Sequence, residues 1–368
     1  MPEPALLDLR PAADCRFDIV ALGEVMLRLD PGQGRVRSAR RFDLWEGGGE
    51  YNVARALAKG WALRAGVVTA LPDNEVGRLV DDLMAQGSVD RGRVIWRPFD
   101  GIGRDTRVGL NFTERGYGVR PALGVSDRAN SAASQMRPGE VDWDRLFDED
   151  GVRWLHTGGI FAALSASTAE TAIEAVEAAR RHGVVVSYDL NYRASLWNSH
   201  PDPDAARRVN RTIAASVDVM IGDEHGFETC LGLDLAAETR TSGLDTAPFR
   251  TAAPAFVAAY PNVRVVAATL REATTATRND WSAIIHAQGR FHEAEARMEL
   301  EVFDRVGGGD GFVSGLVWAL LNGRGAQAAV DYGAAHGALA MTTPGDGSMA
   351  TLAEVEALLA GGGARSIR

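Results

Sequence analysis

Three consecutive glycines and an aspartate stand in front of one of the most apolar stretches of this 368-residue chain. The segment FDRVGGGDGFVSGLVWALL covers residues 303–321, with the glycines at 307–309 followed by Asp310. Glycines where a loop enters a helix let backbone N–H groups crowd around an anion, and the helix N-terminus adds partial positive charge. The loop is therefore either a phosphate cradle or a flexible turn capped by Asp310, and the glycines alone do not separate the two.

If the loop holds a phosphate, Asp310 lies within reach of whatever attacks that phosphate. A carboxylate there can accept the proton of a hydroxyl group while the N–H groups of Gly307, Gly308 and Gly309 stabilise charge on the transferring phosphoryl group. This pattern indicates phosphorylation of an alcohol. A second glycine segment, EGGGEYN at 46–52, can pack against sugar hydroxyl groups, with Asn52 offering both a donor and an acceptor.

The rest of the chain has the alternation of an α/β protein, which is the scaffold these residues need. Three apolar, strand-like runs cover residues 184–193, 217–224 and 263–272, and each has polar residues towards its carboxyl end. In an open parallel sheet ligands bind outside the carboxyl ends of the strands, so these polar residues are expected to line one crevice. They are Asp189, Asn191, Arg193, Asp223, Glu224, Thr269 and Arg271. Each alone is more simply a solvated loop residue, and only their shared position indicates a site.

Two further local patterns predict structure. Between about 91 and 130 the sequence changes to short stretches rich in Gly, Arg and Thr with partial alternation, which predicts a small antiparallel sheet standing off the core. Ser167 and Glu170 have the spacing of a capping box, which predicts a helix from that point to Gly183.

Composition excludes several classes of protein. The formal charge of −10, from 49 acidic and 39 basic residues, argues against a nucleic-acid partner, which requires a basic surface. Lys59 is the only lysine and lies in ALAKG, so neither a Walker-type phosphate loop nor a lysine nucleophile is expected. Cys15 and Cys230 are too few for a disulfide framework, which favours a reducing compartment.

The first sixteen residues have acids and prolines but no apolar run of the length that a secretory signal or membrane span needs. We expect residues 1–16 to be a loose leader on a cytoplasmic protein that does not contact membranes. Residues 17–368 are then expected to form one large α/β core with a small addition.

At this point a family resemblance becomes specific. The segment DRVGGGDGFVSG resembles the D-T-x-G-A-G-D-x-F-x-x-G signature of the ribokinase family, also called the PfkB sugar kinases, with Asp304 at its opening aspartate. Gly47, Gly48, Asn52 and Ala54 match the G-G-x-x-x-N-x-A motif of the same family. The resemblance covers most of residues 17–360 and implies a three-layer α/β/α core, a mostly parallel central sheet and a small β-sheet lid, here about 28–46 and 100–128.

The family implies roles for matched residues. Gly307, Gly308 and Gly309 correspond to the anion hole and Asp310 to the catalytic base, which also contacts the sugar; Gly307 and Gly309 would contact ATP as well. Gly48 and Asn52 correspond to residues that hold sugar hydroxyl groups. The implied cofactors are ATP and Mg²⁺, with a monovalent cation such as K⁺ as a further candidate.

Within the family, YDLNYRASLW at 188–197 resembles the D-x-N-Y-R-x-x-L-W stretch of 2-keto-3-deoxygluconate kinases, and SDRANSAAS at 126–134 and TTPGD at 342–346 agree with it. In those kinases the arginine of N-Y-R, here Arg193, and a lid arginine, here Arg128, face the carboxylate of the sugar acid. An arginine fork suits that role because it meets a carboxylate in two parallel hydrogen bonds. The resemblance thus predicts phosphorylation of 2-keto-3-deoxygluconate to its 6-phosphate.

Departures from the family pattern leave parts of the site open. The N-x-x-E motif that organises Mg²⁺ in many relatives is here DEHG, so a metal site at Asp223 or Glu224 is only a candidate. The usual nucleotide segment K-R/L-G-x-x-G is replaced by TLREATTATRNDW at 269–281, where Thr269 and Arg271 are the candidates for nucleotide contact. Gly308 and Gly311, where relatives often carry alanine, are expected to leave the loop more flexible.

Several alternatives stay open. The acceptor can instead be a neutral ketose such as fructose or tagatose, another sugar acid or a nucleoside. The changed motifs also fit a non-catalytic sugar- or nucleotide-sensing protein, although the complete glycine loop argues against it. Family members often pair through the lid, so a homodimer or larger homo-oligomer is expected.

Overall fold

The computed structural model describes residues 5–200, 202–233 and 243–362. Within these ranges the strands form two sheets, and helices cover both faces of the larger one. The strands are β1 (Ile19–Leu22), β2 (Met26–Asp30), β3 (Asp43–Gly47), β4 (Ala65–Pro72), β5 (Asp90–Arg97), β6 (Leu110–Glu114), β7 (Leu123–Asp127), β8 (Trp154–Gly158), β9 (Val185–Asp189), β10 (Val219–Ile221), β11 (Val265–Thr275), β12 (Arg278–Ala287), β13 (Arg290–Glu293) and β14 (Arg297–Glu301).

The helices lie between and after these strands. They are α1 (Gly49–Arg55), α2 (Glu75–Gln86), α3 (Gly159–Ala162), α4 (Ala166–Arg181), α5 (Ala194–Trp197), α6 (Ala205–Ala214), α7 (Glu224–Leu231), α8 (Ala247–Ala259), α9 (Gly308–Leu321), α10 (Gly325–Ala340) and α11 (Leu352–Leu359). No helix in the described ranges is long and apolar enough to cross a membrane.

The larger sheet has the order β13-β12-β11-β10-β9-β8-β1-β4-β5, with β14 also paired to β12. The strands from β11 to β5 run parallel, and β12, β13 and β14 add an antiparallel edge. One apolar core lies between the sheet and α1, α9 and α10, and a second lies on the opposite face under α4, α6 and α8. The predicted three-layer α/β/α class is confirmed, and the carboxyl ends of the parallel strands meet at one edge, as the polar strand ends require.

The smaller sheet has the order β3-β2-β6-β7 and lies over that edge. Its strands fall close to the predicted 28–46 and 100–128, but β2 and β6 are parallel, so the sheet is mixed rather than antiparallel. β2 and β6 can pair in parallel because the chain between them is long: it forms β4 and β5 of the large sheet before it returns to the small one. Residues 91–97 belong to β5 of the large sheet, so the change of pattern expected at about 91 begins later.

Two local expectations need correction. Helix α4 is capped two residues earlier than predicted, by Ser165. The Ser165 hydroxyl accepts a hydrogen bond from the Thr168 N–H (3.1 Å), and the Thr168 hydroxyl accepts one from the Ser165 N–H (2.9 Å). The described part of the leader, 5–16, packs against the core instead of lying loose: Leu7 and Cys15 are buried, and the Cys15 carbonyl accepts a hydrogen bond from Arg64 (2.6 Å). Residues 1–4 of the predicted leader, and residues 201, 234–242 and 363–368 of the predicted domain, lie outside the described residues.

Candidate active site

The glycine loop enters α9 at the edge where the parallel strands end. Gly307 has a left-handed backbone (φ +80°), and a Cβ at this position would lie 2.1 Å from the carbonyl oxygen of Asp346, so only glycine fits. A Cβ at Gly309 would meet nothing within 4 Å, because this residue borders open space. The backbone N–H groups of Gly309 and Asp310 have no acceptor among the described residues. Two unpartnered amides at a helix N-terminus are the arrangement that binds an anion.

These amides face a crevice of about 560 Å³ between the two sheets. It is lined by most of the residues that the strand-end argument singled out: Asp189, Asn191, Arg193, Asp223, Thr269 and Arg271. Glu224 is half-buried and is not part of the lining. Gly48, Asn52 and Arg128 complete the opposite wall, so the structure brings the predicted residues together around the glycine loop.

Asn52 and Asp310 contact each other directly. The Asn52 side-chain amide donates to Asp310 Oδ2 at 2.7 Å, and its carbonyl oxygen accepts from the Gly48 N–H at 3.4 Å. Gly48 itself is a close-approach position, because a Cβ there would lie 1.9 Å from the carbonyl oxygen of Glu24. Asn52 therefore orients the Asp310 carboxylate, a role that sequence reasoning, which gave it only sugar hydroxyl groups, did not include.

Burial raises the pKa values of several carboxyl groups in and beside the crevice. Burial raises the pKa of Asp310 to about 7, and the nearby charges of Asp189 and Asp346 act in the same direction, while Asn52 and Arg193 oppose them. Burial also raises the pKa of Glu50 to about 8 and that of Asp189 to about 6. A carboxyl group whose pKa lies near 7 can accept a proton from a substrate and later release it, which suits a general base.

Arg193 and Arg128 stand in different environments although both line the crevice. Arg193 is exposed, donates to the carbonyl oxygen of Tyr192 (3.1 Å) and forms no salt bridge with a described residue. The Arg128 side chain is 11% exposed and pairs with Glu24 through Nε (2.8 Å) and Nη2. Only Arg193 thus has a guanidinium free to take a carboxylate, whereas Arg128 shares its charge with Glu24.

On the other side of the glycine loop, Thr269 and Arg271 line the crevice together with Arg305, a residue that sequence reasoning missed. Arg271 donates to the side chain of Asn279 (3.2 Å). Burial lowers the pKa of Arg271, and the neighbouring charge of Arg305 lowers it further. No described carboxylate pairs with either arginine. Two cations held side by side without a counter-ion are suited to a polyphosphate.

The metal candidates have a modest donor set. Asp223 caps α7, since one of its carboxylate oxygens accepts a hydrogen bond from the Gly226 N–H (2.8 Å). Across residues 5–200, 202–233 and 243–362, no group of three or more His, Cys, Asp and Glu side chains clusters as a metal site would. Mg²⁺ in phosphoryl-transfer sites commonly uses one or two carboxylates and takes its other ligands from phosphates and water. Asp223 fits that use because it lines the crevice, whereas Glu224 is not part of the lining.

Gly308 and Gly311 were expected to loosen the loop, and the structure assigns them another purpose. Both are buried inside α9, where it crosses α10 at close range. A Cβ on Gly311 would lie 3.0 Å from Ala340 Cβ, and one on Gly337 of α10 would lie 2.7 Å from the Gly308 carbonyl oxygen. These glycines allow the two helices to approach, so they fix the start of α9 rather than free it.

Fold and crevice together define a phosphotransferase that acts on an alcohol group. Residues 16–352 match the family described as pfkB family carbohydrate kinase, and the chain belongs to that family. Its members use ATP and a divalent metal ion.

Relatives narrow the class. The chain is 32% identical over 348 residues to a 2-dehydro-3-deoxygalactonokinase of Haloferax volcanii, covering 94% of this chain and 98% of that protein. It is 25% identical to a 5-dehydro-2-deoxygluconokinase of Bacillus subtilis, covering 93% and 96%. The crystal structure of a 2-dehydro-3-deoxygluconokinase from Thermotoga maritima superposes with a TM-score of 0.83 at 33% identity, covering 93% and 99%. The chain is thus a sugar kinase related to the 2-keto-3-deoxy sugar acid kinases.

Proposed function

We propose that this protein transfers the γ-phosphoryl group of ATP to the terminal hydroxyl of 2-keto-3-deoxygluconate, which gives the 6-phosphate. The observation that carries the proposal is a juxtaposition in one crevice: Asp310 beside two unpartnered backbone amides, with the unpaired guanidinium of Arg193 lining the same space. Asp310 and the two amides support phosphoryl transfer to an alcohol, and Arg193 supports an acceptor that carries a carboxylate.

In this proposal Asp310 takes the proton of the attacking hydroxyl while the hydroxyl oxygen forms the new bond to phosphorus and ADP leaves. Asn52 holds the carboxylate through its 2.7 Å hydrogen bond. The N–H groups of Gly309 and Asp310, with Gly307 and Gly308 shaping the loop, stabilise the charge on the transferring group. The small sheet covers the sugar and excludes water, which limits hydrolysis of ATP.

Recognition of the sugar acid is assigned to Arg193, with Arg128 second. Arg193 offers the carboxylate a guanidinium that has, among the described residues, no salt bridge and only one hydrogen bond, to the Tyr192 carbonyl oxygen, while Arg128, held by Glu24, offers its remaining N–H groups. Gly48 and Asn52 contact sugar hydroxyl groups. The nucleotide phosphates lie against Arg271, Thr269 and the loop glycines, and Arg305 joins them as a second cation.

Mg²⁺ neutralises charge on the nucleotide phosphates when it is bound. Asp223 is the residue that we expect to hold it, with Glu224 as a weaker contributor, because Asp223 lines the crevice and only one of its oxygens serves the α7 cap. The family resemblance also admits a monovalent cation such as K⁺, and replacing K⁺ by tetramethylammonium in the assay below tests it.

The test is a coupled ADP-release assay over a set of acceptors that differ in one feature each. The set contains 2-keto-3-deoxygluconate, its galacto epimer, 5-dehydro-2-deoxygluconate, fructose, tagatose and a nucleoside. We expect the 2-keto-3-deoxygluconate reaction to have the highest kcat/KM, and mass spectrometry with NMR to find the phosphate on O6. A neutral ketose or a nucleoside as the best acceptor would contradict the sugar-acid assignment.

The same assay separates the sensing alternative. A protein that binds ATP in a direct titration yet releases no ADP with any acceptor would be a sensor and not a kinase. The unpartnered amides at Gly309 and Asp310 favour the kinase, because a site for binding alone does not require a base beside the anion cradle.

We also propose a homodimer that forms through the small sheet. Strand β7 is exposed along its whole length, and Leu44, Leu123 and Val125 are exposed apolar residues on β3 and β7. Light scattering measures the mass, and Val125→Lys is expected to yield the monomer. A cytoplasmic location is supported by Cys15 and Cys230, which are both free and buried.

A further inference from the structure

Arg28 is a fully buried arginine that the sequence patterns did not single out. It lies on β2 of the small sheet with 0% of its surface exposed. Its guanidinium contacts aspartates from three separate segments: Asp30 on β2 (3.0 Å), Asp304 just before the glycine loop (2.5 Å) and Asp346 after α10 (2.8 Å). One side chain therefore joins the small sheet to two chain segments that contact the glycine loop.

Asp304 and Asp346 hold the glycine loop by further contacts. Asp304 accepts hydrogen bonds from the Val306 N–H (3.2 Å) and, more weakly, from the Gly345 N–H (3.4 Å). The backbone of Asp346 lies so close to Gly307 that a Cβ there would come within 2.1 Å of its carbonyl oxygen. The position of the loop amides thus depends on these two aspartates, and both depend on Arg28.

The cluster needs a cation because three buried carboxylates meet there. Besides Arg28, only Arg115 approaches among the described residues, with its Nε 3.2 Å from Asp30. Burial raises the pKa values of Asp304 and Asp346, the latter to about 6, and the charge of Arg28 opposes this shift in both. Removal of the guanidinium would leave Asp304 and Asp346 without a positive partner, and the segments that carry them would separate.

We propose that Arg28 is a positioning residue for phosphoryl transfer: it ties Asp304, just before the glycine loop, and Asp346, which packs against Gly307, to the small sheet, so that the loop amides and Asp310 keep their transfer geometry. This inference rests on the proposed kinase function. Arg28 does not line the crevice, so it acts through the loop and not by contact with the sugar or nucleotide.

The experiment compares Arg28→Lys and Arg28→Met with Arg153→Met as a matched control. Arg153 is also a mostly buried arginine (13% exposed) that pairs with an aspartate, Asp18, but it lies at the opposite end of the large sheet. We expect kcat to fall about 10²-fold in Arg28→Lys and at least as far in Arg28→Met, because a misplacement of about 1 Å can cost that much. The KM values for ATP and the sugar should change far less, and Arg153→Met should keep the wild-type kcat.

Hydrogen–deuterium exchange supplies a readout that needs no turnover. Amides of the segments 303–312 and 341–348 should exchange faster in Arg28→Lys than in the wild type, and remain unchanged in Arg153→Met. If the wild type releases no ADP with any acceptor, the proposed kinase function is wrong. The exchange measurement still tests whether Arg28 holds the segments of Asp304 and Asp346 in place.

Chemical rescue completes the test. Guanidinium ion at a sub-denaturing concentration should restore part of the kcat of Arg28→Ala, and should do nothing for Arg28→Lys, whose side chain fills the space. A lower melting temperature with unchanged kcat and unchanged exchange of the two segments would overturn the proposal. An Arg28→Lys protein that does not fold would also overturn it, because Arg28 would then be a residue of fold stability alone.

Discussion

The two ends of the large sheet each bury a cluster of aspartate and arginine, and the clusters differ in charge balance. At the amino end Asp18 meets two arginines: Arg64 contacts it through Nε (3.0 Å) and Nη2 (2.8 Å), and Arg153 through Nη1 (3.2 Å). Burial raises the pKa of Asp18, but the hydrogen bonds from Arg64 outweigh it, so that the pKa lies below its ordinary value. One acid with two cations is a saturated cluster.

The carboxyl end has the opposite balance. In the buried cluster there, Arg28 serves three aspartates and is helped, among the described residues, only at Asp30, by Arg115. Burial also raises the pKa values of the neighbouring groups Asp310, Asp189 and Glu50. Such carboxyl groups cost folding free energy when they ionise, and a fold keeps them where they serve a ligand or a proton transfer. Both clusters are buried, so the difference between them teaches that the charge balance of the buried cluster, more than burial itself, separates the structural end of the sheet from the functional end.

The largest expected effect comes from the carboxylate at the centre of the unbalanced end. Asp310→Asn keeps the shape of the side chain but cannot accept the hydroxyl proton, so kcat should fall roughly 10²–10⁴-fold, the usual contribution of a general base. ATP affinity, measured by titration calorimetry, should be nearly unchanged. A variant that turns over almost normally would remove Asp310 from the role of base.

Arg193→Ala should have the next largest effect, and it should depend on the acceptor. Loss of a charged hydrogen-bonding partner costs about 1.5–3 kcal/mol, which corresponds to roughly 10–10²-fold in kcat/KM for a sugar acid. A neutral ketose has no carboxylate to lose, so its kcat/KM should hardly change. Equal losses for both acceptors would contradict the assignment of Arg193 to the carboxylate. Arg207→Ala on the exposed face of α6 is the matched control and should change neither.

The pH dependence should report the raised pKa of Asp310 directly. A base must be ionised to work, so kcat/KM should be constant above about pH 8 and fall as the pH drops through about 7, by about tenfold per unit at the acid end. The acid limb should disappear from the residual activity of Asp310→Asn. A wild-type limb centred near pH 4 would mean that burial does not shift this carboxyl group.

Much of the site could be predicted because its residues are local in sequence. Gly307 to Asp310 occupy one loop-to-helix junction and Gly48 and Asn52 another. The polar residues that follow β9 and β10, and those within β11, were found from strand patterns. The α/β class followed from the same alternation, whereas the three-layer core and the small lid followed from the family resemblance. In each case a short segment carries both the chemistry and the signal of the element that places it.

Arg28 could not be predicted, because nothing near it in the chain marks it. In EVMLRLD it is one residue of an alternating strand, and its partners Asp304 and Asp346 are 276 and 318 residues away. The pairing of Arg128 with Glu24 was missed for the same reason, since 104 residues separate them. Sequence patterns find residues that share an element, whereas pairs of charges become visible only when the topology brings their elements together.

The smallest expected effect on turnover belongs to Asp18 at the saturated end. Asp18→Asn should lower the free energy of unfolding by about 1 kcal/mol at neutral pH, at the low end for a lost charged hydrogen bond because the Arg64 side chain, 46% exposed, keeps contact with water. Its folded pKa lies below the unfolded value, so this stabilisation is present above about pH 4 and is lost as the pH falls further. Denaturant unfolding of both proteins at neutral and acid pH measures the difference.

The mirror variant at the other end sharpens the contrast. Asp346→Asn removes one of three carboxylates around Arg28 and improves the charge balance there, so it should cost less stability than Asp18→Asn while lowering kcat, since Asp346 packs against Gly307. Asp18→Asn should leave kcat unchanged. If Asp18→Asn instead lowered kcat and Asp346→Asn only lowered stability, charge balance would not distinguish the functional end of this sheet from the structural one.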